Sequence, residues 1–171
     1  MEYFDLYNLE GKRINKIMAR GGENLPGEYH LVVHIWIRNS KNQYLIQQRS
    51  KLEDPIPFQW AATGGAVLTG ENSLEGVLRE SYEEMCLVIN PAHLKLVKRY
   101  FIENPKTNYI TDLYLLEEDV NLDKLTLDPK EVKTVTYKTM NEIRKMISEG
   151  NFWDYENNIN RIGYLDILEK S

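Results

Sequence analysis

Only one cysteine, Cys86, occurs among the 171 residues, so no disulfide can form within the chain. A framework of oxidative staples is excluded, and a reducing, cytoplasmic setting is the expectation. No apolar run approaches the roughly eighteen residues of a membrane span. The opening MEYFDLYNLEGKR also lacks the apolar stretch of a signal peptide, so no membrane partner is expected. Basic runs are missing too: Lys and Arg are scattered and the net charge is −5. That balance argues against a binder of nucleic-acid polymer, which needs a basic stripe. No repeat, low-complexity tract or Pro/Gly/Ser linker divides the chain, and 42% of it is hydrophobic. One domain over 1–171 with a sizeable core is expected.

What is present reads mainly as strands. EYFDLYNLEGKRI suggests a strand, a turn at Glu10–Gly11 and a second strand. HLVVHIWI and YLIQQR, joined by the polar NSKNQ, read as a hairpin. The two prolines of KLEDPIPFQW rule out regular structure there. HLKLVKRYFIE, NYITDLYLLEE and VKTVTYK read as further strands, and TMNEIRKMISEG as a helix. That helix carries a capping box, Thr139 as N-cap with Glu142 three residues on, and Gly150 as its stop. A last helix is expected over much of Tyr155–Leu168. The class is α+β or α/β, with a mixed sheet.

Between the hairpin and these later strands lies GGAVLTGENSLEGVLRESYEEMCLV, Gly64 to Val88, a loop, a helix and a loop. Ser73 reads as the N-cap, and Leu74, Val77, Leu78 and Met85 as the apolar face. At 100° per residue, Glu84 lies about 40° from Glu80 on one side and Glu83 about 60° on the other. Like charges so close oppose the helix by a few tenths of a kcal/mol per pair. Gly76, one turn before Glu80, leaves the carboxylate face bare, with space for something bulky. Three carboxylates on one face suit a hard cation such as Mg²⁺, which takes oxygen ligands and bridges to substrate phosphates. Arg79 can pair with Glu83 at i,i+4. Taken alone, a Glu-rich face is more often simply solvated.

The spacing of Gly65, Glu71, Arg79-Glu80 and Glu83-Glu84 resembles the Nudix box of the Nudix hydrolase superfamily. Six fixed residues would match by chance at ~10⁻⁷ per start point, or ~10⁻⁵ over such a chain, so the match is specific. The resemblance implies an α/β/α sandwich carrying the loop-helix-loop and C-terminal helices. It also implies Mg²⁺ (or Mn²⁺) held by Glu80, Glu83 and Glu84, one of them a general base, with Arg79 in the catalytic set. Glu71 would support the loop, and Gly64–Gly65 would let backbone approach the pyrophosphate. The implied reaction is attack of water on a small-molecule diphosphate joined to another moiety, and a homodimer is compatible with the family. Ser81 departs from the usual aliphatic residue and can bond back to a helix carbonyl. Cys86 departs from the usual glycine, at a position suited to a left-handed cap.

Upstream, EYHLVVHIWIRNSKNQYLIQQRS with PFQW resembles the isopentenyl diphosphate isomerase branch of the same fold. That branch has a cysteine-glycine-histidine run where this chain reads Gly64, Gly65 and Ala66. The nucleophile and one metal histidine are thus absent, and a hydrolase is the better reading. His30 aligns with another of that branch's metal histidines. Asp112 falls where the branch has a glutamate, which makes it a candidate extra ligand or base; an ordinary outward-facing strand carboxylate is the other reading. His30 and His34, four apart on a strand, lack the third nitrogen or thiolate of a zinc site and read as packing residues. Arg49, ending its strand, is the candidate for substrate phosphate, because a guanidinium forks onto phosphate oxygens; a surface salt bridge is the other reading. Trp60 reads as core. The run Phe152-Trp153-Asp154-Tyr155 reads as packing first, and otherwise as the wall of a base pocket or a dimer contact.

Overall fold

The computed structural model describes residues 1–50, 57–156 and 163–171. Strand β3 (Tyr29–Arg38) is the axis of the molecule. Its β-branched and aromatic residues suit a strand covered on both sides, and five of them are 1% exposed or less. Along one edge it pairs in parallel with the whole of β8 (Tyr109–Glu117), from His30 opposite Tyr109 to Arg38 opposite Glu117. β8 in turn pairs antiparallel with β7 (Leu94–Ile102).

The other edge of β3 is shared among three partners. Its start pairs with β1 (Tyr3–Tyr7), itself hairpinned with β2 (Arg13–Ala19). Its end pairs with β4 (Gln43–Arg49) only at Ile37–Leu45 and Arg38–Tyr44. Beyond that point β3 and β4 splay, and a connecting piece runs between them. β5 (Trp60–Ala61) pairs with β4, and β6 (Thr63–Ala66) pairs with β3. β9 (Val132–Thr139) lines the far edge of β4. The sheet is therefore a fork whose crotch is filled by residues 60–66. The mixed sheet and its few helices make the class α+β, as expected.

Helices cover both faces. Leu31, Val33, Ile35 and Ile37 alternate onto one face, in a cluster with Val77 and Met85 of α1 (Ser73–Met85). Trp36 points the other way, into a cluster with Met140 and Ile143 of α2 (Met140–Ser148) and with Tyr164, Leu165 and Leu168 of α3 (Tyr164–Glu169). Burying each such side chain contributes about 1.5–3 kcal/mol. Polar handles add specificity: Trp36 Nε1 donates to the Tyr164 hydroxyl at 2.9 Å, and Tyr164 stacks on Tyr155 at 4.9 Å. Phe152 and Tyr155 are core, as read from sequence; Trp60 is half-buried. No helix among the described residues is long and apolar enough to cross a membrane.

Local signals were mostly met. α2 has the Thr139–Glu142 capping box, and Gly150 follows it at φ 74°. The last helix starts only at Tyr164: Tyr155 lies in a turn, and 157–162 fall outside the described residues, as do 51–56 of the proline-bearing loop. The N-cap of α1 is Asn72, one residue earlier than read. Its side chain accepts from Glu75 N–H at 3.0 Å while Glu75 accepts from Asn72 N–H at 2.8 Å, a complete box. Leu74 stays exposed. The space supposed beside Gly76 is filled, since a Cβ there would stand 2.7 Å from Val67 Cγ2. That glycine is there so that the loop can lie against the helix.

At the other end, Ser81 donates to Val77 O at 2.8 Å, and Cys86 takes the left-handed cap at φ 50°, ψ 30°. Its N–H donates to Tyr82 O and the next N–H, of Leu87, to Ser81 O. A left-handed non-glycine costs about 1–2 kcal/mol. Against the extra chain entropy of glycine, Cys86→Gly should therefore raise stability by about 0.5–1 kcal/mol. The β-branched Cys86→Val should lower it by at least as much; urea unfolding of the three proteins checks both.

Candidate active site

The carboxylate helix is tied to its loop by one side chain. Arg79 Nε and Nη2 donate to the two oxygens of Glu71 at 2.7 and 3.1 Å, and Nη2 also to Ala66 O at 2.9 Å. Its remaining nitrogen, Nη1, donates to Glu80 at 2.9 Å and Glu83 at 2.8 Å. Burial opposes the charge on this guanidinium, but the carboxylates of Glu71, Glu80 and Glu83 outweigh it and hold Arg79 above its ordinary range. Glu71 also accepts from Leu68 N–H at 2.9 Å, so it braces the loop, as expected.

Gly65 explains how Glu80 comes so close to the sheet. A Cβ at Gly65 would stand 2.3 Å from Glu80 Oε1, so the glycine makes room for that carboxylate. The role expected for Gly65, backbone approach to a pyrophosphate, has this closer cause beside it. A Cβ at Gly64 would lie 2.3 Å from Val33 O and 2.9 Å from His34 Cδ2. The backbone at 64 thus has no room for the cysteine of the isomerase branch.

Glu80, Glu83, Glu84, Arg79, Arg49, Gly64 and Gly65 all line a single cavity of about 570 Å³. Five further residues had no sequence signal. Glu2 and Arg20 come from the ends of the N-terminal hairpin, Ala66 from β6, and Asp128 and Glu131 from the turn before β9. The turn arrives because β9 pairs with β4, placing Val132 opposite Arg49, and Asp128 N–H donates to Glu84 O at 2.9 Å. Arg20 is held to Glu2 at 2.6 Å and lies over the Phe4 ring.

Glu84 is the deepest of the three helix carboxylates. It is 8% exposed and accepts from Gln47 Nε2 at 2.9 Å. Burial pushes its carboxyl up to about 8, against the pull of the Gln47 bond, and burial likewise raises Glu80. Among the described residues no three His, Cys, Asp or Glu side chains already converge on one ion-sized point. Arg79 engages Glu80 and Glu83 instead.

Asp112 is not brought to this cavity. It is fully buried, so it is not an outward-facing strand carboxylate either. Arg99 grips both its oxygens at 2.6 Å, and Ser73 Oγ donates to it at 2.5 Å. Ser73 opens α1, and seven residues, about 10 Å of helix, separate it from Glu80. The pair anchors the start of the helix to β8, and as a candidate ligand Asp112 is displaced. His30 and His34 lie on the sheet face away from α1. Burial pushes His30 down to about 4 while its Nδ1 faces Asn108 O at 3.1 Å. His34 Nδ1 meets the Tyr164 hydroxyl at 3.0 Å.

A mixed forked sheet with a carboxylate helix set on a glycine loop defines a hydrolase class, and comparison with known proteins agrees. The NUDIX domain model matches residues 28–156. An uncharacterised Nudix hydrolase of Listeria monocytogenes is 34% identical over 156 residues, covering 91% of this chain and 90% of that one. An isopentenyl-diphosphate Delta-isomerase of Pectobacterium atrosepticum is 27% identical over 137 residues, 78% of this chain and 75% of that one. The crystal structure of DR0079 from Deinococcus radiodurans shares the fold at TM-score 0.72 and 22% identity, over 91% of this chain and 94% of that one. The chain belongs to the Nudix family and is a Nudix pyrophosphohydrolase.

Gly65→Ala separates packing from chemistry. Only the flexible end of Glu80 must move, so stability should change by less than about 1 kcal/mol. The displaced carboxylate should lower phosphate release at least about tenfold; thermal unfolding and a phosphate assay read the two effects.

Proposed function

We propose that the enzyme hydrolyses the diphosphate linkage of a nucleoside diphosphate derivative or related pyrophosphate, with Mg²⁺ or Mn²⁺ held by Glu80, Glu83 and Glu84. The observation that carries this reading is the gathering of those three carboxylates in one cavity with Arg49 and the Gly64–Gly65 backbone. Their donors are all oxygen, which fits a hard cation. A buried carboxyl such as Glu84, raised by its surroundings, is also a group that a cation would hold ionised. When bound, the metal supplies Lewis-acid pull on a phosphoryl oxygen and acidifies water.

The chain's own residues do the rest. Glu71 holds Arg79, and Arg79 holds Glu80 and Glu83 in register on the helix. Gln47 orients Glu84 through Oε2. Arg49 lines the same cavity, where its fork can take phosphate oxygens and offset the charge of the diphosphate. Isomerisation is the weaker reading, because positions 64–66 carry neither a thiol nor an imidazole.

Glu83→Gln and Glu84→Gln should each abolish metal-dependent phosphate release, by at least about a hundredfold, while unfolding at the parental temperature. A panel of nucleoside di- and triphosphates, sugar nucleotides, ADP-ribose and dinucleoside polyphosphates, with Mg²⁺ and with Mn²⁺, measures this. Parental rates in both variants would sink the metal assignment. Isopentenyl diphosphate should give no dimethylallyl isomer.

A further inference from the structure

Each of the three helix carboxylates has one oxygen already taken. Arg79 Nη1 donates to Oε1 of Glu80 at 2.9 Å and to Oε2 of Glu83 at 2.8 Å. Oε2 of Glu84 accepts from Gln47 Nε2 at 2.9 Å. Among the described residues the other oxygen of each makes no hydrogen bond. We propose that Gln47, held by Thr63, is a positioning residue that makes Glu84 a one-oxygen ligand and so selects Mg²⁺ or Mn²⁺ against Ca²⁺. This rests on the metal assignment above and names the cation that the site refuses.

The hold on Glu84 is built from buried groups. Gln47 and Thr63 are each 2% exposed. Gln47 follows Leu45 by two on β4, so both point to the face that α1 covers. Thr63 Oγ1 donates to Gln47 Oε1 at 3.0 Å and also lies 3.8 Å from Met85 Sδ. An ionised carboxylate, the form that binds a cation, only accepts hydrogen bonds, so the amide must turn Nε2 toward it. Thr63 is then left to donate to the amide oxygen. The direction is fixed from end to end: Thr63 to Gln47, and Gln47 to Glu84. One arm of the forked sheet, the strand in its crotch and the helix each supply one member.

Cation chemistry makes this hold selective. Ca²⁺ takes about six to eight oxygens, often both from one carboxylate, whereas the smaller Mg²⁺ demands octahedral geometry and keeps several waters. Two-oxygen binding by Glu84 would pull Oε2 away from Gln47 and leave a buried N–H without its acceptor. One-oxygen binding disturbs nothing. Arg79 is a looser restraint on Glu80 and Glu83, because it has Glu71 and Ala66 O as further partners. Among the described residues the Gln47 amide donates to Glu84 alone.

Metal binding without substrate tests the inference. The free Mn²⁺ spin-resonance signal should fall on adding metal-free protein and return as Ca²⁺ competes. Glu84→Gln should weaken Mn²⁺ binding at least about tenfold. Gln47→Leu frees Oε2, and Ca²⁺ affinity relative to Mn²⁺ should rise about tenfold. Thr63→Val should move that ratio the same way, and Thr63→Ser, which keeps the hydroxyl, should return it to the parental value. A helix merely loosened would weaken both ions together and leave the ratio alone. An unchanged ratio in Gln47→Leu and Thr63→Val, with Mn²⁺ still lost in Glu84→Gln, would overturn the inference and spare the metal assignment. Mn²⁺ binding that is absent, or that Glu84→Gln leaves as in the parent, would sink the metal assignment and the inference with it. Should Gln47→Leu not fold, the two Thr63 variants decide.

Discussion

The guanidinium of Arg79 donates five hydrogen bonds, two to Glu71 and one each to Ala66, Glu80 and Glu83. Of these partners Ala66 ends β6, Glu71 lies in the loop and two lie on the helix, so a single charge joins the parts of the segment. With its side chain only 19% exposed, that charge has little water to fall back on. Glu71 takes two of the five bonds, so removing it would leave the most of that charge uncompensated, whereas Glu83 is one of three carboxylates and its loss leaves two. The same requirement that keeps Arg79 satisfied holds Glu80 and Glu83 where they are, side by side despite their repulsion. Structural need and chemical need coincide in one residue.

The forked sheet supplies the rest of the frame. Because β3 and β4 pair only near their turn, the strand in the crotch of the fork can carry glycines that look onto both sides. One of them receives Glu80 and the next faces His34. The N-terminal hairpin lies before the stretch that the family model matches, yet it buttresses the same loop. Thr69 N–H donates to Tyr3 O at 2.8 Å, Gly70 N–H to Asp5 at 2.9 Å, and Arg13 to Glu71 O at 2.7 Å.

What could be read from the residues alone was what depends on neighbours three or four apart. The Arg79–Glu83 pair, the back-bonded Ser81, the left-handed Cys86 and the Thr139–Glu142 box are all of that kind. Asn72–Glu75 has the same spacing, and Ser73 beside it is an equally good N-cap by residue type. Register over long distances was not legible. Nothing near Gly76 announces Val67 as its neighbour, and nothing near Asp112 announces that Arg99 will cover it. Arg20 and Glu131 reach the cavity only through strand pairings that local pattern does not specify. The three carboxylates are a helix property and could be seen; the walls around them are a sheet property and could not.

Cys86 has one more consequence. It is the only thiol in the chain and it is exposed, one residue past the end of the carboxylate helix and two past Glu84. Any thiol-directed label attaches there and nowhere else. Because the cap is made by backbone groups, the sulfur itself bonds nothing that the helix needs. A dye or spin label at this position becomes a reporter on the end of the helix that bears the acids, already installed in the natural chain.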